Sequence, residues 1–209
     1  MRRYAAVILA GGRARRLGGV DKPSLAVGGV PLLHRVLAAV SDADPRVVVG
    51  PSTPAPPAGV LRTREEPAGG GPVAATAAGL ALVPPDVTFV ALLAADLPFL
   101  DHAAVTALRA AAEGPAEGAV YEDGTGRRQW LCGVWRAAAL RARLAALPGG
   151  GAGTSLRALF DGATVARLRH PPDHPQPPPW FDCDTEADLR RAARWAEGGS
   201  AGHGDRRGG

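Results

Sequence analysis

The stretch that decides the fold is YAAVILAGGRARRLGGVDK, residues 4–22. Its first part, Tyr4–Ala10, is continuously apolar, which is typical of a strand buried on both faces of a parallel sheet. Residues 9–22 then contain four glycines, three arginines and one lysine. A buried strand that leads directly into a flexible, positively charged loop indicates an α/β protein with an anion-binding site beyond that strand.

Apolar runs and helical repeats alternate along the rest of the chain. We expect further strands at residues 46–50, 60–63, 88–94, 118–121, 129–135 and 164–168. Helices are expected at residues 31–40, 72–82, 102–112, 137–146, 154–160 and 186–195. This alternation predicts an α/β fold with a mainly parallel sheet, whose ligands bind beyond the carboxyl ends of the strands.

Length and composition favour one domain, residues 1–196, followed by a disordered tail, residues 197–209. The chain has 209 residues, of which 46% are apolar, and no apolar run approaches the roughly 20 residues that cross a bilayer. The apolar run Tyr4–Ala10 is too short for a secretory signal. Cys132 and Cys183 are too few for a disulfide framework or a zinc site. We therefore expect a soluble, cytoplasmic protein without a membrane partner.

The basic net charge does not by itself indicate a nucleic-acid partner. The net charge is +4 and the isoelectric point is near 9.8. However, the arginines are spread along the chain, and aromatic residues make up only 5%, so stacking platforms for bases are scarce. We therefore expect no nucleic-acid binding. Lys22 is the only lysine among 24 Lys and Arg residues, which makes it a candidate functional residue.

The opening loop has the chemistry of a phosphate-binding loop. Glycines allow backbone N–H groups to approach an anion, because no Cβ intrudes. Phosphate charge would be offset by the basic side chains of Arg13, Arg15, Arg16 and Lys22. The loop matches neither the Walker A pattern nor G-x-G-x-x-G. The alternative is a surface loop of solvated arginines.

Three aspartates follow predicted strands or precede a predicted helix. Asp96 comes after a strand without charges, where a carboxylate is a natural Mg²⁺ ligand. Asp182 and Asp184 are two residues apart, so in an extended segment both side chains lie on one side and can share a cation. The alternatives are that Asp96 is a helix-cap or turn residue and that Asp184 caps the last helix.

Three further segments are candidates for substrate contacts. Glu65 and Glu66 precede a triple glycine, and a carboxylate there can accept hydrogen bonds from N1–H and the N2 amino group of guanine. The segment Arg127–Trp130 opens a strand and is suited to an acidic, aromatic acceptor. The glycine-rich segment Gly149–Ser155 is a candidate anion-binding turn. The alternatives are an acidic loop, a hairpin edge and a linker, respectively.

Five motifs in order resemble one family. They are Leu9–Lys22, Gly28–Leu32, Gly71-Pro72, Ala95–Pro98 and Phe181–Thr185. Over residues 4–195 the chain resembles the nucleotidyltransferases related to molybdenum cofactor guanylyltransferase, the MobA-like NTP transferases. The sequence LAGG favours the guanylyl enzymes, because related cytidylyl enzymes usually have LAAG. Two departures are Asp182 and Asp184, where well-known members have asparagine, and Gly50, where a polar side chain is expected.

The resemblance implies a Rossmann-like three-layer sandwich with a mostly parallel central sheet, GTP and Mg²⁺ as cosubstrate and cofactor, and molybdopterin as acceptor. It implies, with the local chemistry, catalytic roles for Lys22, Arg16 and Asp96, and metal binding by Asp96, Asp182 and Asp184. The nucleotide-binding residues are then Leu9, Ala10, Gly11, Gly12, Arg13, Lys22, Glu66 and Asp96. Other cofactor-biosynthesis proteins or apo-molybdoenzymes are candidate protein partners.

The expected reaction is transfer of GMP from GTP to the terminal phosphate of molybdopterin, with release of pyrophosphate. The nucleophile is already an anion, so catalysis depends on positioning and charge neutralisation rather than on a strong base. Alternative activities use CTP with molybdopterin, or a sugar phosphate, an isoprenoid precursor phosphate or a phospholactate-type acid as acceptor. A non-catalytic nucleotide-binding module is the alternative of a different class.

Overall fold

The computed structural model of the chain describes residues 3–11, 24–50 and 55–200. The expectations for Gly12, Arg13, Arg15, Arg16 and Lys22 lie outside these residues and stay predictions.

The main sheet of the described residues has seven strands: β1 (Tyr4–Leu9), β4 (Arg46–Val49), β5 (Val60–Thr63), β6 (Phe89–Ala94), β7 (Gly118–Glu122), β8 (Arg128–Arg136) and β9 (Val165–Arg169). Their order is β5-β4-β1-β6-β8-β7-β9, and β8 alone runs antiparallel to its neighbours. A separate antiparallel hairpin is formed by β2 (Ala26–Val27) and β3 (Val30–Pro31). The predicted α/β class with a mostly parallel sheet is confirmed.

Helices cover both faces of the sheet. They are α1 (Leu32–Ala39), α2 (Gly71–Leu80), α3 (His102–Ala112), α4 (Ala137–Ala145), α5 (Leu156–Leu159) and α6 (Glu186–Ser200). Side chains of α1 and α3 pack on one face and those of α2 and α4 on the other, in two buried clusters. Alternate residues of β1 enter the two clusters: Ala6 and Ile8 enter the first, and Val7 and Leu9 the second. Burial on both faces explains why this strand is continuously apolar.

Most element boundaries differ from the sequence-based expectation by one to three residues, and two of the differences have a physical reason. Pro31 is not the first residue of α1, because it pairs in the β2–β3 hairpin with an extended backbone (φ −55°, ψ 141°). Helix α6 continues beyond Trp195 to Ser200, so residues 197–200 of the expected tail are helical. Apolar contacts of Leu189, Ala192 and Ala196 with the hairpin hold this helix, which allows it to propagate. Residues 201–209 lie outside the described part of the chain.

In the described residues, no helix combines the length and the hydropathy that a membrane span requires.

Candidate active site

A large cleft lies at the carboxyl edge of the sheet, where the strand order reverses. From β1 the chain proceeds to β4 and β5 on one side and then returns to β6 on the other side of β1. Such a switch point is where open α/β sheets bind ligands. The cleft has a volume of about 1870 Å³, and its lining runs from Leu9–Gly11 and Asp96 to Arg127–Cys132, Asp182 and Asp184.

The backbone of Leu9, Ala10 and Gly11 forms part of the cleft lining. Hydrogen bonds to the neighbouring strands fix it: the Ala10 N–H donates to Val49 O at 2.7 Å, and Leu9 O accepts from the Ala95 N–H at 3.0 Å. Among the residues that the structure describes, none has an atom within 4 Å of a Cβ added at Gly11. The start of the glycine loop is therefore held in place and open on the side where a Cβ would lie.

Gly50 is required by close packing against this same backbone. Its φ is +147°, and a Cβ on it would lie 2.8 Å from Ala10 C and 2.9 Å from Gly11 N. The polar side chain that the resemblance leads one to expect at this position does not fit here. The departure from the family pattern therefore has a steric explanation.

All three candidate metal-binding aspartates line the cleft. The segment that carries Asp182 and Asp184 is attached to the end of β6 by a hydrogen bond from the Cys183 N–H to Asp96 O, at 3.3 Å. The structure thus brings together side chains that are more than eighty residues apart in sequence.

The helix caps are made by other residues. Asp101 caps α3 by accepting a hydrogen bond from the Ala104 N–H at 2.7 Å. At the start of α6, Thr185 and Asp188 exchange hydrogen bonds: the Thr185 N–H donates to Asp188 Oδ2 at 2.8 Å, and the Asp188 N–H donates to Thr185 Oγ1 at 3.2 Å. This is a capping box. The interpretation of Asp184 as a cap is therefore wrong.

The two adjacent glutamates lie in different surroundings. Glu65 is partly buried and lines the cleft, and its Oε1 accepts a hydrogen bond from the Gly69 N–H at 3.1 Å. Glu66 is exposed and is not part of that lining. The resemblance indicates Glu66, whereas the structure places Glu65 in the cleft. Sequence spacing alone does not show which of two adjacent carboxylates lines the cleft.

The predicted segment Arg127–Trp130 lines the other half of the cleft, and Asp123 orders its turn. Asp123 Oδ1 accepts hydrogen bonds from the N–H groups of Thr125 at 2.9 Å and Arg127 at 3.0 Å, while Oδ2 accepts from Gln129 Nε2 at 2.9 Å. The hydrogen bond from the Thr125 hydroxyl is the main reason why the pKa of Asp123 lies below its usual range. Hydrogen bonds to Asp123 therefore hold the turn that carries Arg127 and Arg128.

Sequence reasoning missed a second set of residues in this half. Glu122 is only 3% exposed and accepts hydrogen bonds from Arg169 Nη2 at 2.7 Å and from Arg167 Nη1 at 3.2 Å. The hydrogen bond from Arg169, followed by that from Arg167, lowers the pKa of Glu122, against the opposing effect of desolvation. Arg167, Arg157 and Trp180 also line the cleft. In the sequence, the only sign of this pairing is that Arg167 and Arg169 are two residues apart on β9, which places both side chains on the same face of the strand.

Aromatic side chains support the same half. Trp130 stacks on Phe160 with ring centroids 5.1 Å apart, and Phe160 stacks on Trp135 at 3.9 Å. Trp180 packs against Tyr121 at 5.1 Å. Trp130 and Trp180 therefore line the cleft with part of each ring packed against another aromatic side chain.

The glycine-rich segment 149–155 packs against the start of α2. The Gly153 N–H donates to Gly70 O at 2.9 Å, and a Cβ on Gly151 would lie 2.6 Å from Val73 Cγ1. The following helix α5 has four residues, and Ser155 caps it. These contacts indicate that the segment is a packed connection to α5, which favours the alternative of a linker over an anion-binding turn.

Comparison with known proteins identifies the family. The family model described as the MobA-like NTP transferase domain matches residues 6–168. A molybdenum cofactor guanylyltransferase from Rhizobium johnstonii is 31% identical over 198 residues, which cover 92% of this chain and 93% of the relative. A probable molybdenum cofactor guanylyltransferase from Mycobacterium avium is 33% identical over 198 residues, covering 91% and 95%.

A solved structure shows the same fold. Molybdopterin-guanine dinucleotide biosynthesis protein A from Archaeoglobus fulgidus aligns with a TM-score of 0.70 at 16% identity, covering 93% of this chain and 99% of that one. The cleft at the switch point and the match over most of the chain agree on one conclusion. This chain belongs to the MobA-like NTP transferase family and is a nucleotidyltransferase.

Proposed function

We propose that the enzyme transfers GMP from GTP to the terminal phosphate of molybdopterin, in a Mg²⁺-dependent reaction that releases pyrophosphate. The observation that carries the proposal is the position of the Leu9–Gly11 backbone and Asp96 in one cleft, in a chain whose curated relatives are named molybdenum cofactor guanylyltransferases.

We assign the β1 side of the cleft to GTP. The open backbone at Gly11 suits close approach of phosphate oxygens, because no Cβ blocks it. Lys22 and Arg16 are expected to offset charge on the triphosphate, and they stay predictions because they lie outside the described residues. We assign the guanine contact to the Glu65-Glu66 segment. Glu66 is supported by the resemblance and Glu65 by its place in the cleft lining.

The residues present are compatible with Mg²⁺. Asp96, Asp182 and Asp184 line the cleft, yet within the described ranges no three His, Cys, Asp or Glu side chains form a metal-binding group. Mg²⁺ is usually held by one or two carboxylates together with substrate phosphates and water, rather than by an all-protein cage. Asp96 with Asp182 or Asp184 would supply those carboxylates. When bound, the ion would neutralise charge on the triphosphate.

We assign the β7–β9 side of the cleft to the acceptor. It is lined by four arginines, namely Arg127, Arg128, Arg157 and Arg167. These guanidinium groups suit a phosphate, and the faces of Trp130 and Trp180 suit a flat heterocycle.

The chain's task in the reaction is positioning and charge neutralisation. An oxygen of the acceptor phosphate forms a bond to the α-phosphorus of GTP, and the bond from that phosphorus to the bridging oxygen of the β-phosphate breaks. The negative charge leaves with pyrophosphate. Both reactants are anions, so the repulsion between them is the main part of the activation barrier. Basic side chains on both sides of the cleft reduce this repulsion.

The test is an assay of the purified protein with Mg²⁺, molybdopterin and each of the four nucleoside triphosphates in turn. We expect pyrophosphate release and a guanine dinucleotide product, identified by mass, with GTP only. A product with CTP instead would make it a cytidylyltransferase. Release that requires a sugar phosphate or a phospholactate-type acid in place of molybdopterin would refute the proposed acceptor.

A further inference from the structure

Three aromatic rings meet from three separate segments: the turn after β6, the segment before α6, and α6 itself. The ring centroids of Phe99 and Phe181 lie 6.0 Å apart, those of Phe99 and Trp195 5.5 Å, and those of Phe181 and Trp195 5.0 Å. We call this triangle the aromatic clasp. Its tilted and edge-to-face contacts are favourable geometries for aromatic pairs.

Each of two clasp residues is close in sequence to a candidate metal ligand. Phe99 follows Asp96 by three residues, and Phe181 directly precedes Asp182. Between the two segments, the Cys183 N–H donates to Asp96 O at 3.3 Å. The clasp therefore joins the same two segments that bring these carboxylates into the cleft.

The Asp182–Asp184 segment depends on such contacts for its position. Residues 170–185 form neither helix nor strand, so no ladder of sheet hydrogen bonds holds them. The Cys183 side chain is fully buried with Val27, Leu32 and Ala192, in a cluster that Phe99 and Phe181 join. Side-chain packing on α6 and on the β2–β3 hairpin thus takes the place of a strand.

Helix α6 is itself fixed at its first turns. The Thr185–Asp188 capping box defines its start. The Arg191 guanidinium lies 4.4 Å from the ring centroid of Trp195 and 5.7 Å from that of Phe181, at distances suited to cation–π contact. The helix that carries Trp195, the third ring of the clasp, is thus held by these contacts.

We propose that the aromatic clasp is a positioning device for the divalent-cation site, and that it holds Asp182 and Asp184 at a set distance from Asp96. The clasp residues Phe181 and Trp195 lie beyond residue 168, where the match to the family model ends. Helix α6 is then a functional part of the active site. This inference rests on the metal site of the proposed function.

The experiment measures Mn²⁺ binding to the full-length protein by the paramagnetic resonance signal of free Mn²⁺, with and without GTP. We expect Trp195→Ala to raise the dissociation constant for Mn²⁺ about tenfold. Trp195→Phe, which keeps an aromatic ring, should restore it to within about twofold. In the transferase assay, Trp195→Ala should lower kcat with little change in the KM for GTP.

Two control variants separate positioning from general stability. Arg194→Ala changes an exposed residue of the same helix and should leave Mn²⁺ binding unchanged. Leu108→Ala opens a cavity in a different core cluster, so it should lower the melting temperature without weakening Mn²⁺ binding. If Trp195→Ala does not fold, Phe99→Leu is measured in the same way.

The outcomes distinguish this inference from the proposed function. Unchanged Mn²⁺ affinity in the clasp variants, or equal weakening in Leu108→Ala, would overturn the positioning role. A wild-type protein that binds no Mn²⁺ with or without GTP would overturn it as well. Mn²⁺ binding that depends on the clasp, in a protein that makes no guanine dinucleotide, would support the clasp and refute the proposed reaction.

Discussion

Gly50 shows how a single residue shapes the β1 side of the cleft. It lies at the end of β4, where its N–H donates to Thr63 O at 3.1 Å, and it touches the backbone that leads into the glycine loop. Its positive φ is strained for any residue with a Cβ, and the close contact with Ala10 and Gly11 adds a clash. The position therefore requires glycine for two independent reasons.

We expect Gly50→Ala to raise the KM for GTP and to lower the free energy of unfolding by about 1–3 kcal/mol. The added Cβ would displace the Ala10–Gly11 backbone. Steady-state kinetics and urea unfolding measure the two effects. Gly59→Ala is the matched control, because Gly59 also has a positive φ (+81°), but no atom of the described ranges lies within 4 Å of the added Cβ. An unchanged KM in Gly50→Ala would show that this backbone does not contact GTP.

Asp96 is the second residue that carries a prediction. We expect Asp96→Asn to abolish pyrophosphate release while the melting temperature stays near that of the wild type, because the change removes a charge and keeps the shape. Asp101→Asn is the control: Asp101 caps α3 and is not part of the cleft lining, so activity should be retained. Turnover by Asp96→Asn at the wild-type rate would remove Asp96 from the mechanism.

At the scale of elements, an ion pair ties α4 to the start of β7. Arg143 Nε donates to Glu117 Oε2 at 2.6 Å and Arg143 Nη2 donates to Glu117 Oε1 at 2.9 Å. The Thr164 N–H, just before β9, donates to the same carboxylate at 3.3 Å. The hydrogen bonds from Arg143 are the main reason that the pKa of Glu117 is lowered from its ordinary value of 4.5.

This arrangement predicts acid sensitivity. A carboxylate whose pKa is lower in the folded state adds stability above its unfolded pKa, and that contribution is lost as the pH falls through the folded-state pKa. We expect Glu117→Gln to be less stable than the wild type at pH 7 and to lose less stability as the pH falls below about 4.5. Urea unfolding at a series of pH values measures this.

The control for acid sensitivity is Glu186→Gln. Glu186 forms an exposed pair with Arg190 on α6, and exposed pairs contribute little to stability. Its pH profile should follow that of the wild type. Identical acid profiles for Glu117→Gln and the wild type would contradict the assignment.

At the scale of the whole molecule, the cleft joins two halves of the sheet. Leu9–Gly11 and Asp96 come from the parallel half, whereas Glu122 and the segment Arg127–Trp130 come from the strands around the antiparallel β8. A nucleotide bound at the switch point, as we propose, would contact several elements at once. Binding should therefore stabilise the fold as a unit.

We expect GTP with Mg²⁺ to raise the melting temperature. At a concentration 100 times the dissociation constant, the stabilisation is about 2.7 kcal/mol, which corresponds to roughly 5–10 °C for a domain of this size. The same concentration of CTP should give a smaller shift, and removal of the metal with EDTA should reduce the shift by GTP. Equal shifts with GTP and CTP would contradict the assignment of GTP as the preferred nucleotide.

The sequence by itself determined the main elements and the class of fold. Continuous apolar runs such as Tyr4–Ala10 and residues 88–94 identify buried parallel strands, because this pattern is local in the chain. The sequence also indicated that one edge of the sheet carries Asp96, Asp182 and Asp184, because the carboxyl ends of the strands meet at that edge. The two-residue strands β2 and β3 are too short to leave such a pattern.

Only the tertiary structure decided which side chains reach the cleft. The neighbours Glu65 and Glu66 differ in surroundings, Glu122 is paired with arginines 45 and 47 residues away, and Gly50 is required by the backbone at Gly11. The aromatic clasp likewise joins three distant segments. These relations depend on contacts between residues that are far apart in sequence, and a local pattern of hydrophobicity or charge carries no information about them.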